Sequence, residues 1–71
     1  MAKTGQITEH ERFRRARGRS VMDQARGTGY SHSYVSLVES GKLRPSDAYR
    51  KAASRFLKIP EDLLFPEVAG V

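Results

Sequence analysis

Helix-starting and helix-stopping residues recur so closely along this chain that no helix in it can run far. Thr8, Ser20 and Ser31 are N-cap residues, and Gly18, Gly29, Gly41, Pro60 and Pro66 fall where helices end or begin. A Ser or Thr oxygen accepts a free first-turn N–H, whereas Gly at C′ takes the left-handed conformation that closes a helix. "TEHE" and "SVMD" have the spacing of capping boxes, Thr8 with Glu11 and Ser20 with Asp23. The spacing predicts a first helix from about Glu9 to Arg17, with Phe13 and Ala16 inward and Gly18 ending it. A second runs from Ser20 to about Gly27 or Thr28, where Gly27 and Gly29 suit a turn needing positive φ. A third follows Ser31 and closes at Gly41. Pro45-Ser46 opens a fourth, with Asp47 in its first turn and a stripe of Tyr49, Ala52, Ala53, Phe56 and Leu57. "PEDLLF" makes a short fifth, carrying Leu63, Leu64 and Phe65 mainly to the core, with any surplus available to a dimer interface. No segment alternates with the period of a strand, so the fold class is all-α. The divisions are a loose arm at 1–7, a helical domain at 8–65 and a tail at 66–71.

Seventy-one residues suffice for one domain. Without cysteine there is no disulfide framework, and two histidines without a carboxylate cluster make no metal site. No cofactor is expected. No apolar run approaches the ~18 residues of a membrane span and no signal-peptide core follows Met1, so the expected location is a reducing cytoplasm. The 13 Lys and Arg against 8 Asp and Glu give +5. From Arg12 to Lys58 stand 12 bases and 3 acids, a local excess of 12 − 3 = 9. Such a block suits a polyanion, although a solvated charged surface would look the same.

The third helix breaks that ambiguity. At about 100° per residue, Ser31, Val35 and Val38 define its inner side, while Ser33, Ser36, Leu37 and Ser40 point away, flanked by His32 and Tyr34. The outer side carries no charge at all. Exposed helix faces ordinarily favour Glu, Lys and Arg, which form helix better than Ser. Small hydroxyls instead let a helix press into the major groove, where Ser and His meet base edges and a Leu methyl meets thymine. Cations stand beside this face: Lys42 and Arg44 after the helix, and Arg19 before the second. Phosphate contacts that position and base contacts that specify have this arrangement.

The stretch "RGRSVMDQARGTGYSHSYVSLVESGKLRPS" resembles the helix-turn-helix of the lambda-repressor-like family, the Cro and XRE-type DNA-binding domains. The resemblance rests on Arg14, Gly18 and Ser20, then Ala25, Gly29 and Ser31, then Ser36, Val38, Glu39, Gly41 and Pro45. It continues through "FLKIPEDLLF" and covers residues from about 9 to 65. It implies that the third helix is a recognition helix contacting bases through His32, Ser33, Ser36 and Leu37. It further implies phosphate contacts from Arg19, Ser20, Tyr34, Lys42 and Arg44, and a buried ion pair between Arg14 and Glu39. Tyr34 has a second reading, lying flat against the second helix. Arg12, Arg15 and Arg17 read more readily as solvated surface.

Departures from the family pattern fall mostly in the core. Val21 replaces a glutamine that braces a phosphate, Gln24 and Thr28 replace two leucines, Arg50 takes an apolar site, and His10 faces inward. Met22, Tyr30 and Tyr49 are expected to compensate. The implied function is a sequence-specific regulator binding a double-stranded DNA operator as a homodimer. Its brevity resembles phage Cro-type repressors. An activating role, through a patch on the second helix such as Asp23 near RNA polymerase, stands beside repression as a second mode of regulation. An antitoxin-type module whose main ligand is a protein remains the alternative. An enzyme lacks support: there are no clustered carboxylates, no nucleophile beside a base and no phosphate-cradling loop.

Overall fold

The computed structural model describes residues 8–66; the arm at 1–7 and the tail beyond Pro66 lie outside the described residues. Five helices follow in order: α1 (Glu9–Ala16), α2 (Val21–Thr28), α3 (His32–Glu39), α4 (Asp47–Leu57) and α5 (Glu61–Leu64). Among the described residues there is no strand. Each of the first four helices starts on a hydroxyl. Thr8, Ser20, Ser31 and Ser46 accept N–H bonds from Glu11, Asp23, Tyr34 and Tyr49.

Only Ser20 and Asp23 complete a reciprocal box. At α1 the Glu11 carboxylate turns instead to Arg15, four residues on, so that expected box is half formed. Gly18, Gly29 and Gly41 all sit at positive φ in the turns after α1, α2 and α3. Gly27 was expected to share that duty but lies inside α2, where the Phe56 ring comes up against its backbone. Glycine at 27 serves close approach, not a turn.

α2 packs on α3 and α4, while α5 closes the bundle against α1 and α4. The core comprises Ala25, Val35, Val38, Tyr49, Ala53, Leu57, Ile59, Leu64 and Phe65, with Phe13, Val21, Tyr30, Tyr34 and Phe56 packed against it. Three sequence expectations need correction here. Ala16 is exposed, because α1 turns His10 and Arg14 inward. Ser31 is exposed too, since a cap residue stands outside the helix it starts. Leu63 is 52% exposed, leaving Leu64 and Phe65 to the core.

Replacement of the missing leucines is polar. Tyr49 is fully buried, and its hydroxyl lies 2.7 Å from His10 Nε2 and accepts the Gln24 Nε2–H at 3.3 Å. Its ring meets Tyr30 and Tyr34 edge-on, at centroid distances of 5.0 and 5.2 Å. Burial pushes the Tyr49 phenol far above its ordinary range, so it stays neutral. Met22 contributes nothing to this repair, being 50% exposed. Arg50 is half-buried and stays at its usually apolar site by donating to the Pro45 carbonyl and pairing with Asp47 and Glu61.

Candidate nucleic-acid interface

α2 and α3 are joined by only Gly29, Tyr30 and Ser31. Gly29 at φ 79° ends α2, and both Gly29 N–H and Tyr30 N–H return to the Ala25 carbonyl. So tight a turn fixes the angle between the helices. A second brace comes from α1. Arg14 grips Glu39 at the end of α3 with Nε on one carboxylate oxygen and Nη2 on the other, the latter at 3.2 Å. Its Nη1 donates to the Arg19 carbonyl in the α1–α2 turn. His10 Nδ1 stands 3.1 Å from the same carboxylate, at ion-pair distance but without hydrogen-bond alignment. Burial acts to raise the Glu39 carboxyl; His10 and Arg14 outweigh it, and the net shift is downward.

With its inner side so held, α3 presents His32, Ser33, Ser36, Leu37 and Ser40 to solvent. Leu37 is 43% exposed. The Ser40 hydroxyl bonds back to the Leu37 carbonyl at 3.1 Å. Ser33 and Ser36 carry no such internal bond among the described residues, so their hydroxyls are open to an outside partner.

The segment after α3 is fastened to it. Lys42 N–H and Leu43 N–H both donate to the Leu37 carbonyl, at 3.0 and 3.2 Å, and Gly41 takes φ 80° to permit this. Further along, Ser46 N–H donates to the Tyr34 hydroxyl at 2.9 Å. Lys42 and Arg44 are thereby anchored beside the α3 face. Tyr34 packs on Tyr30, with centroids 4.7 Å apart, so its ring belongs to the aromatic cluster while its hydroxyl proton stays available for donation. Ser20 is in the same position: its oxygen accepts Asp23 N–H in the cap, and its proton is left over.

Ion pairing then sorts the twelve bases of the described residues in a way that spacing alone does not. Arg12 pairs with Glu9, Arg15 with Glu11, Lys51 with Asp47, and Arg50 with Asp47 and Glu61. Arg17 donates to the Leu57 and Lys58 carbonyls. Among the described residues Arg19, Arg26, Lys42, Arg44, Arg55 and Lys58 have no carboxylate within ion-pair distance. Of these, Arg19, Lys42 and Arg44 are the cations placed by sequence around α3. Sequence spacing discloses neither the His10–Tyr49–Gln24 cluster nor the fastening of Arg17 to the carbonyls of Leu57 and Lys58. The first gave no periodic signal; Lys58 betrays itself only through its backbone, at φ 60°.

No helix among the described residues is long and apolar enough to cross a membrane, and no group of three metal-ligating side chains gathers among them. Five short helices with a tight α2–α3 unit, its second helix outward, define a helix-turn-helix protein of the DNA-binding class. The chain belongs to this family: the helix-turn-helix domain model matches residues 11–64. No curated protein and no solved structure matches the chain. Domains of this family typically act by binding, not by catalysis.

Proposed function

We propose that this protein is a sequence-specific transcriptional regulator, most simply a Cro-like repressor, which reads a palindromic DNA operator as a homodimer. α3 enters the major groove, with His32, Ser33, Ser36 and Leu37 toward the bases. Arg19, Ser20, Tyr34, Lys42 and Arg44 hold the phosphates on either side. The observation that carries this reading is the uncharged, exposed side of α3 between cations that have no carboxylate at ion-pair distance among the described residues.

An uncharged face of small hydroxyls matches the donor and acceptor edges of base pairs, whereas a Lys- or Glu-rich face would hold the helix away from them. Two copies related by a two-fold axis would read half-sites one helical turn apart, about 34 Å. Leu63, exposed on α5, is apolar surface available to the second copy. A dimer seated over a promoter excludes RNA polymerase, which is the simplest route to repression.

Selection of bound sequences from random duplex DNA tests the reading directly. The expected product is an inverted repeat, with the preferred bases altered in Leu37→Ala and a uniform loss of affinity in Lys42→Ala. Equal recovery of all sequences by the unaltered protein would dismiss it.

A further inference from the structure

Between the α1–α2 turn and the end of α4 lies an open pocket of about 280 Å³, lined by Arg17, Arg19, Phe56, Leu57 and Lys58. Three of the five lining residues are cations, and none is an acid. The two arginines are held by side-chain contacts, and the lysine by its place at the end of α4. Arg17 donates Nε to the Leu57 carbonyl at 3.0 Å and Nη2 to the Lys58 carbonyl at 3.4 Å, which fixes its guanidinium and leaves Nη1 without a hydrogen bond among the described residues. The Arg19 guanidinium lies over the Phe56 ring, 5.2 Å from the centroid. Lys58 closes α4 at φ 60°, ψ 46°, a left-handed position where glycine is the unstrained choice. Asp23, whose charge Arg19 helps to stabilise, is engaged by the Ser20 N–H and does not line the pocket. Three like charges held together repel one another, and an anion between them would remove that cost.

We infer that this pocket is an oxyanion site that takes a backbone phosphate of duplex DNA, beyond the stretch α3 reads. The inference rests on the DNA-binding function proposed above. A strand phosphate is favoured over a free anion because the pocket is rigidly joined to the helix-turn-helix. The Arg19 carbonyl is held by the Arg14 that grips Glu39 on α3, and Phe56 lies against Gly27 of α2. An open pocket also admits a group that remains part of a chain.

Lys58→Gly is the decisive variant, since it removes the charge while supplying the residue best suited to that backbone. Binding to the selected operator duplex is measured across a salt series for the unaltered protein, Lys58→Gly and Lys58→Arg. Each phosphate contact adds about 0.9 to the slope of log K against log salt, so a dimer losing two becomes shallower by roughly 1.8 and binds about tenfold more weakly near physiological salt. Base preference stays as it was, thermal stability holds or rises as the left-handed strain is relieved, and Lys58→Arg keeps the original slope. An unchanged slope and affinity in Lys58→Gly overturn the inference while leaving the operator reading intact. Failure of the unaltered protein to bind any duplex overturns both. A third result is NMR shifts at Arg17, Arg19 and Lys58 with inorganic phosphate, alongside an unchanged Lys58→Gly slope; it gives the pocket to a free anion and overturns the assignment to DNA.

Discussion

At Gly27 the backbone of α2 passes so near the Phe56 ring that an added Cβ would lie 2.2 Å from Cε1. Gly to Ala inside a helix ordinarily gains about 0.5–1 kcal/mol. Here the ring must be displaced, and overpacking of this kind costs about 1–3 kcal/mol. Gly27→Ala is therefore expected to lower the denaturant midpoint, against the helix-propensity trend. A rise in the midpoint would mean the ring swings aside freely. Glu39 poses the opposite case, removal of a buried partner. Glu39→Ala leaves Arg14 buried without its carboxylate, a change that costs about 3–5 kcal/mol. Set against roughly 0.1 kcal/mol per residue of total stability, that is much of what a domain this size has. Circular dichroism melting should show a largely unfolded variant, with DNA binding lost for every sequence alike. The Arg14–Glu39 pair is legible in sequence because both residues belong to a fixed-spacing motif. The burial of His10 and Gln24 is not. A polar residue inside a core makes sense only through its partner, and for His10 the Tyr49 hydroxyl is 39 positions away.

Among the elements, α3 separates stability from function most cleanly. Ser33 and Ser36 are exposed, engaged in no cap, and poor helix formers relative to alanine. Ser33→Ala and Ser36→Ala should leave thermal stability unchanged or raise it by a few tenths of a kcal/mol, while changing which bases the protein selects. Ser31→Ala should do the reverse. Its oxygen accepts the Tyr34 N–H at 3.0 Å, and losing such a cap costs about 1 kcal/mol. Thermal melts paired with binding to a panel of operator variants would measure both. Stability loss in the Ser33 and Ser36 variants, with preference intact, would place those serines in the fold and not at the DNA. The beginnings of α1 to α4 were readable from single hydroxyl residues, because a cap is a local interaction. The exposed side of α3 was readable for the same reason, through helical periodicity. Lys58 at the end of α4 was not, since neither composition nor spacing marks a left-handed lysine.

For the molecule as a whole, the acid limb of stability follows from two carboxyls whose ordinary values are shifted downward. Asp23 is lowered chiefly by the backbone hydrogen bond from Ser20, with the nearby Arg19 and Arg26 charges acting the same way. Glu39 is raised by burial and lowered further by His10 and Arg14, ending below its reference value of 4.5. A carboxyl depressed in the folded state contributes stability that is complete above its unfolded value. That contribution fades as pH falls toward the folded one. Melting temperature should hold above about pH 5 and decline as pH drops through about 4. In Asp23→Asn the decline should be shallower, as one of the two linked protons is gone. An identical pH profile for that variant would remove Asp23 from the account.

The sequence by itself determined the helical class, the helix beginnings, the outward side of α3 and the Arg14–Glu39 motif. Each of these is set within one turn of helix or by short fixed spacing. Tertiary structure alone decided that Tyr49, not Met22, fills the space of the missing leucines. It alone decided that Arg12, Arg15, Arg50 and Lys51 are spent on acids while Arg19, Lys42, Arg44 and Lys58 are not. The physical reason is range: caps and periodicity act between near neighbours in the chain, whereas burial and charge pairing depend on which distant residues the packed helices bring face to face.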